Sequence, residues 1–200
     1  MTQYARPDSA DGVDGTDYAG WYNSEMMEAN LELEIDETSI PSGVYPGYDD
    51  TDYISGDDES GETKIAKFGL SNVDDPVADH DHKVHVRASR VDSAGSPSTL
   101  TVALYLSDGS TKIAELAAFQ PSDNQYEYYT LTLSTTEADA ISSYDNLQIW
   151  LTETPADPAG GTMNSILVSQ AWFECPNQLY DLVINGGAGS APFLLFIEVQ

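Results

Sequence analysis

The sequence has few basic residues. Lysine and arginine together account for 7 of its 200 residues, against 34 aspartates and glutamates, which gives a formal net charge of −27. A field of that sign repels nucleic acid and anionic membrane surfaces, so we expect neither as a direct partner. Abundant carboxylate with little lysine is typical of a surface that stays hydrated in concentrated salt, which suggests a saline environment.

Cysteine and long apolar runs are also scarce. The one cysteine, Cys175, cannot form a disulfide within the chain, and its position in the apolar run AWFEC predicts a buried thiol. No stretch approaches the ~18 apolar residues of a membrane-spanning helix. The opening MTQYARPDSADG has neither the charged nor the apolar region of a signal peptide. We therefore expect a soluble protein that is made in a cytoplasm.

Recognisable catalytic motifs are missing as well. The sequence contains no G-x-S-x-G, H-E-x-x-H, P-loop or G-x-G-x-x-G pattern. Its three histidines, His80, His82 and His85, lie together in DHDHKVH. His80 and His82 could share a cation with Asp79 or Asp81, although a hydrated entry into a strand is the simpler interpretation. We expect no enzyme, and a hydrolase is a minor alternative.

Strand patterning runs through most of the chain. An Asp-Gly pair at Asp108 and Gly109 lies between two alternating runs and predicts a hairpin, because its residues tolerate a positive φ. TTEADAISSYD predicts one or two helical turns, with Thr135 or Thr136 as the cap. The segments that alternate or are rich in β-branched and aromatic residues are LELEID (31–36), TKIAKFGL (63–70), HKVHVRASRV (82–91), TLTVALYLSDGSTKIAELAAF (99–119), YEYYTLTLS (126–134), NLQIWLTET (146–154) and SILVSQAWFEC (165–175).

About eight strands joined by Gly/Pro/Asp loops predict an all-β fold, a two-sheet antiparallel β-sandwich of the jelly-roll type. Residues 1–30 are polar and predict an extended arm or a long loop. The sandwich is expected over residues 31–176, and residues 177–200 are expected to form a C-terminal extension, a possible oligomerisation or attachment strand.

The C-terminal extension ends in an unusually apolar run. A glycine-rich joint at residues 186–190 precedes PFLLFIEVQ, and the five apolar residues that we assign to a subunit interface are Phe193, Leu194, Leu195, Phe196 and Ile197. Such a run must be buried, because an exposed apolar edge strand aggregates. It could be the last core strand of its own subunit, or it could add to the sheet of a neighbour.

Two other groups of residues could bind a ligand. Asp49, Asp50 and Asp52 are close enough in sequence to chelate calcium, but they fit a solvated turn equally well, so we expect no cofactor and keep Ca²⁺ as a weak candidate. The three tryptophans, Trp21, Trp150 and Trp172, could form a platform for a sugar, although a core or interface role is the simpler expectation. Trp150 is out of phase with Leu147, Ile149 and Leu151 and should therefore be either partly exposed or covered by a loop.

Several short motifs resemble a known domain. "RPDSADG…GW" (6–21), "IDE" (35–37), "YDDTDYIS" (48–55), "ISSYDNLQIWLTET" (141–154) and "SILVSQAWFECP" (165–176) occur in the order found in a domain of structural proteins of tailed viruses and prophages. The resemblance covers roughly residues 6–176 and implies a lectin-like jelly roll in a virion: a capsid decoration protein, a head fibre or a tail appendage. It transfers no catalytic residue, and residues 177–200 extend beyond it.

We therefore expect a non-enzymatic virion structural protein, and specifically a capsid decoration protein of a tailed virus from a saline environment. Its expected partners are the major capsid protein or other virion subunits and further copies of itself, as in a trimer. The alternative is a carbohydrate-binding or receptor-binding module of a tail or head fibre, which requires an exposed aromatic platform such as Trp150 or the tyrosines of YEYYT.

Overall fold

A computed structural model describes residues 2–10, 21–23, 53–56, 63–91, 96–155, 163–177, 180–184 and 193–197. The elements in chain order are β1 (Thr2–Ala5), β2 (Pro7–Ala10), β3 (Trp21–Asn23), β4 (Ile54–Gly56), β5 (Lys64–Leu70), β6 (Lys83–Arg90), β7 (Ser96–Pro97), β8 (Thr99–Tyr105), β9 (Lys112–Phe119), β10 (Glu127–Thr132), α1 (Thr135–Asp139), β11 (Gln148–Thr154), β12 (Met163–Asn164), β13 (Ile166–Pro176), β14 (Tyr180–Ile184) and β15 (Phe193–Ile197).

Two antiparallel sheets form the body of the protein. The six-stranded sheet has the order β10-β6-β13-β4-β3, with β1 also paired to β13, and the five-stranded sheet has the order β2-β5-β11-β8-β9. From β4 onward the chain crosses between the sheets at most connections, and β8–β9 is a hairpin within one sheet. These features confirm the expected all-β fold, a two-sheet antiparallel sandwich of the jelly-roll type.

The core lies between the two sheets and is built from alternate residues of each long strand. Leu147, Ile149 and Leu151 are fully buried from the five-stranded sheet. Val84 and Val86 are buried from β6 in the six-stranded sheet, and both sets belong to one hydrophobic cluster. The period of two in the sequence is thus the period of the strands, since successive side chains point to opposite faces of a sheet.

Most of the local predictions within the described residues are confirmed. β5, β6, β10, β11 and β13 each fall inside a segment that the sequence assigned to a strand or end one residue beyond it. The Asp-Gly hairpin joins β8 to β9, and Gly109 has the expected positive φ of 60°. The helical turn is present, but its cap is Ser134 rather than Thr135 or Thr136, because Ser134 and Glu137 form a capping box. The segment LELEID lies outside the described residues.

The beginning of the chain differs from the expected arm or loop. β1 pairs with β13, β2 pairs with β5, and β3 pairs with β4, so residues 2–10 and 21–23 belong to the two sheets. Trp21 and Ala5 are fully buried in the core. The polar composition of this segment predicted an arm or a loop, but backbone hydrogen bonds pair a polar segment into a sheet as well as an apolar one.

The C-terminal strands form a sheet of their own. β14 and β15 pair with each other as an antiparallel two-stranded sheet, with Leu182 opposite Leu195. This gives the strand at Phe193–Ile197 a pairing partner within its own chain. No helix among the described residues has the length and apolar character needed to span a membrane.

Candidate functional site

The outer face of the five-stranded sheet brings aromatic, basic and hydroxyl side chains together. Trp150 on β11 lies opposite Lys67 on β5 and opposite Ala103 on β8. In the next row, Gln148 on β11 lies opposite Tyr105 on β8. All of these residues are out of phase with the buried Leu147, Ile149 and Leu151, so they face away from the core. We call this surface the Trp150 face.

Trp150 and Tyr105 form a stacked pair at the centre of this face. Their ring centroids are 4.0 Å apart with an interplanar angle of 22°, and both side chains are half-buried. The indole Nε1 of Trp150 donates to Gln148 Oε1 at 2.9 Å, and Gln148 Nε2 donates to the Ser107 carbonyl at 3.4 Å. The amide of Gln148 therefore links the Trp150 ring to the β8–β9 turn and limits its rotation.

The β8–β9 turn lies next to the side-chain amide of Gln148. A Cβ on Gly109 would lie 3.3 Å from Gln148 Oε1, so the turn passes close to the glutamine side chain. Asp108 holds the turn by accepting hydrogen bonds from the backbone N–H groups of Ser110 and Thr111, each at 2.8 Å. The hairpin that the sequence predicted thus supports the residue that orients Trp150.

Lysines lie on both sides of the aromatic pair. Lys67 Nζ is 4.4 Å from the centroid of the Trp150 ring, a cation–π distance. On the other side, Lys112 on β9 lies opposite Tyr105 and forms an ion pair of 2.7 Å with Glu115. Two of the four lysines in the sequence are thus placed on this face.

The same face continues as a set of threonines. Thr152 on β11 lies opposite Thr101 on β8, and Thr154 lies opposite Thr99. Thr99, Thr101 and Thr152 are half-buried, and each hydroxyl can both donate and accept a hydrogen bond. Ala103 lies between Trp150 and Glu115 in the register and is buried, although it is on the outer face of the sheet. Apolar ring surface and hydroxyl groups therefore lie side by side.

The outer face of the six-stranded sheet carries a second aromatic group, in which Trp172 is buried and His85 and Tyr128 are half-buried. Trp172 is 5% exposed and stacks on His85 with centroids 4.7 Å apart, while Tyr128 meets it edge-on at 5.8 Å. Arg87 lies 5.0 Å from the Tyr128 ring and is itself buried. Trp21 is fully buried in the core, so Trp150 is the most accessible of the three tryptophans.

His85 connects three strands on that second face. Its Nε2 lies 2.7 Å from Glu174 Oε2 on β13, and its Nδ1 lies 3.0 Å from Thr130 Oγ1 on β10. Burial lowers the pKa of His85, although the hydrogen bond to Glu174 opposes that shift. A hydroxyl, an imidazole and a carboxylate in series are also the components of a catalytic triad. Because they join neighbouring strands across a sheet, we assign them a structural role.

His80 and His82 do not act as a pair. His82 is fully buried: its Nδ1 donates to the His80 carbonyl at 3.0 Å, and its Nε2 lies 2.7 Å from the Tyr144 hydroxyl. Since Nδ1 donates, the neutral ring must accept at Nε2 from Tyr144. The side chain of His80 is exposed and pairs with Asp81 at 2.8 Å. The expectation of a hydrated strand entry is therefore wrong for His82.

The remaining candidate residues are only partly described. Asp49, Asp50 and Asp52 lie outside the described residues, and so does the weak calcium site assigned to them. Phe193–Ile197 is described as a paired backbone strand, without its side chains. Within the part of the chain that is described, no group of three or more histidine, cysteine, aspartate or glutamate side chains is arranged to hold a metal ion.

The sequence singled out Trp150 but missed its neighbours. Lys67, Tyr105 and Gln148 each fall on the polar phase of a predicted strand, which is the signal that could have selected them. That signal does not say which strands are adjacent. The residues meet because β11 pairs with both β5 and β8, strands that lie far from it in the sequence.

No protein-family profile and no curated protein matches this chain. Among solved structures, the chain is similar to the xylan-binding module CBM15, with 10% identity over 89% of this chain and 98% of that one, at a TM-score of 0.48. It is also similar to the C-terminal family 22 carbohydrate binding module of Clostridium thermocellum Xyn10B, with 15% identity over 85% and 92% of the two chains and a TM-score of 0.36. A third is the CBM22-1 xylan-binding domain from Paenibacillus barcinonensis Xyn10C, with 13% identity over 77% and 84% and a TM-score of 0.35. Likenesses at this level do not establish what the present chain binds.

Proposed function

We propose that this protein is a non-catalytic module that binds a glycan on the Trp150 face. The observation that carries the proposal is the half-buried Trp150–Tyr105 stack on the outside of a sheet, next to threonine hydroxyls. The C–H faces of a sugar ring pack against aromatic rings, and its hydroxyls pair with polar side chains. Tyr105 lies against one face of the Trp150 ring and the Lys67 ammonium lies over the other, so a sugar ring would gain the first kind of contact by displacing the flexible Lys67 side chain from Trp150 or by packing on the outer face of Tyr105. Thr101 and Thr152 supply the second kind.

The hydrogen bond between Trp150 and Gln148 supports this role. A binding residue that is already held in position loses less conformational entropy when a ligand arrives. The indole N–H is satisfied by Gln148 at 2.9 Å, so the ring does not need the ligand to pair it. A platform of this kind contributes mainly through the contact area of its rings.

A glycan array followed by calorimetry tests the proposal. Wild-type protein should bind at least one glycan class, and Trp150→Ala should weaken that binding by about tenfold or more, which corresponds to about 1.4 kcal/mol. Tyr4→Ala is the matched control, because Tyr4 is an exposed aromatic residue on the other sheet. An array without hits, or equal affinities for Trp150→Ala and wild type, would contradict the proposal.

We further propose that the module is a component of a virion, where it contacts the major capsid protein or other coat subunits and forms a homo-oligomer such as a trimer. The motif order over residues 6–176 supports the virion assignment, and the β14–β15 hairpin supports the assembly. A lone two-stranded hairpin is marginally stable in water, and the strand residues 182–184 and 193–197 are all apolar. A neighbouring subunit could cover them.

Removing residues 178–200 tests the assembly, because this deletion takes away both strands of the hairpin. Mass by light scattering should fall to that of a monomer, while the circular dichroism of the sandwich is retained. The shortened chain should also fail to bind capsids. An unchanged mass together with unchanged capsid binding would reject the hairpin as the interface, whatever the result of the glycan experiment.

A further inference from the structure

A continuous uncharged surface runs along the Trp150 face on the neighbouring strands β11 and β8. Every second side chain of each strand points away from the core, and the register places these residues opposite one another in rows. The rows are Gln148 with Tyr105, Trp150 with Ala103, Thr152 with Thr101, and Thr154 with Thr99. We call these residues the neutral track, because none of them is charged in a chain whose residues are 20% charged.

Three charged side chains of this face lie on the strands that flank the neutral track. Lys67 is on β5, next to β11, whereas Lys112 and Glu115 are on β9, next to β8, and are exposed. A charge directly beneath a bound sugar would lose its water and gain only hydroxyl partners, which costs free energy. The net charge of −27 would also repel an acidic glycan. The track is therefore suited to a ligand without charges.

The neutral track is also longer than one sugar. The row of Tyr105 and the row of Thr99 are six residues apart along β8, a distance of about 20 Å at the rise of a strand. Aromatic rings lie at one end of the track, and threonine hydroxyls lie at the other. A sugar that packs on the rings covers only the aromatic end. The rows of Thr152 and Thr154 can be reached by further sugars of the same chain.

We infer that the ligand is a neutral, linear glycan, and that the neutral track binds several consecutive sugars of it along β11 and β8. One sugar at the aromatic end and one at each threonine row make about three in all. The inference rests on the proposed glycan-binding function and names the ligand class for the same site. The translational and rotational freedom of the glycan is lost once, when the first sugar binds, so contacts made by its neighbours add to affinity at a smaller entropic cost. Affinity should therefore rise with chain length until the track is filled.

Calorimetry of the full-length protein with purified oligosaccharides tests both parts of the inference. The oligosaccharides form a length series of the neutral linear glycan that gives the strongest signal on the array. Wild-type affinity should rise by about tenfold or more from the monosaccharide to the tetrasaccharide and then level off. Affinity for the tetrasaccharide should change by less than about twofold between 0.1 and 1 M potassium chloride, because salt screens charges and neither the track nor the ligand carries any. A monosaccharide that binds as tightly as the tetrasaccharide, or an array on which only acidic glycans bind, would overturn the inference.

Thr152→Val removes one hydroxyl from the track and keeps the shape of the side chain. The gain in affinity between the disaccharide and the tetrasaccharide should be smaller than the wild-type gain by about threefold, because a hydrogen bond to the longer ligand is lost. Thr132→Val is the matched control, since Thr132 is an exposed threonine on the outer face of the other sheet, and it should keep the wild-type gain. Equal gains in the two variants would overturn the inference. Binding that depends on Trp150 but not on chain length would reject this inference alone, whereas an absence of all binding would reject the proposed function as well.

Discussion

The carboxylate of Glu153, on the five-stranded sheet, rests against the backbone of Gly56, on the six-stranded sheet. A Cβ added to Gly56 would overlap Glu153 Oε2. Glu153 is 3% exposed, and its Oε1 also accepts a hydrogen bond from the Ile166 backbone N–H at 3.4 Å. One buried carboxylate thus joins the two sheets at one end of the sandwich.

Gly56→Ala should destabilise the protein by about 1–3 kcal/mol, because the new methyl group forces a buried carboxylate to move. A double-mutant cycle, with free energies of unfolding measured in chemical denaturant, tests whether the overlap with Glu153 causes this loss. In a Glu153→Ala background the same change should cost less, since the overlapping atoms are gone. If the cost of Gly56→Ala is the same in both backgrounds, the close approach is not what requires glycine at this position.

Tyr144→Phe should cost about 1–3 kcal/mol of unfolding free energy, because it leaves the buried His82 Nε2 without its hydrogen-bond donor. Denaturant unfolding at pH 7.5 measures this loss. Tyr4→Phe, at an exposed tyrosine, is the matched control and should change the free energy of unfolding little. Equal losses in the two variants would show that the buried contact with His82 has no net effect.

The stability of the protein should also fall as the pH drops below about 6.5, and part of this loss should come from His82. Burial lowers the pKa of His82, although the His80 carbonyl and the charges of Asp79 and Asp81 oppose the shift, while the charge of His80 adds to it. The unfolded chain therefore takes up this proton more readily than the folded chain, so acid favours unfolding.

The free energy of unfolding, measured from pH 7.5 to 5, tests this contribution. His82→Gln should be less stable than wild type at pH 7.5 but should lose less on acidification. His80→Gln should keep most of the wild-type loss, because the charge of His80 is a smaller cause of the lowered His82 pKa than burial is. The role of His82 would be contradicted if the wild-type and His82→Gln curves stayed parallel over the whole range.

Asp108→Ala should loosen the β8–β9 turn and lower the melting temperature. Hydrogen bonds from the Thr111 side chain, the Thr111 backbone and the Ser110 backbone lower the pKa of Asp108 to about 2. A lowered pKa means that this contribution is present above about pH 4 and is lost as the pH falls towards 2. The melting temperature of Asp108→Ala should therefore fall less than that of wild type when the pH is lowered from about 4 towards 2. Asp139→Ala, at the exposed end of α1, should lose as much melting temperature as wild type over the same range.

Cys175 should be unreactive in the folded protein. The thiol is fully buried, and burial raises its pKa to about 12, so the reactive thiolate is scarce at neutral pH. A thiol-specific chromogenic reagent should label no cysteine under native conditions and one per chain in denaturant. Rapid native labelling at pH 8 would contradict the buried position.

High salt should stabilise the protein against heat. The net charge of −27 makes the folded surface repel itself, and raising the ionic strength from 0.1 to 1 M shortens the Debye length from about 10 to about 3 Å. The melting temperature in potassium chloride should therefore rise across this range. A melting temperature that is constant or falls would argue against the expected adaptation to a saline environment.

The long internal strands and the β8–β9 hairpin could be predicted from the sequence because their signals are local. Alternation of apolar and polar residues depends on near neighbours, and Asp108-Gly109 defines a tight turn by its own conformational freedom. The N-terminal strands β1 to β3 could not be predicted in this way. Their polar composition carries no alternating signal, and what fixes them is backbone pairing with β13, β5 and β4.

The candidate site also has one feature that the sequence predicted and others that only the tertiary structure determined. The sequence by itself determined that Trp150 faces away from Leu147, Ile149 and Leu151, because side-chain direction along one strand follows from its period of two. The tertiary structure alone decided that Lys67 and Tyr105 lie beside Trp150, that His82 meets Tyr144 and that Glu153 touches Gly56. These contacts depend on strand order and register, which are set by how the whole chain packs and not by the residues next to each position.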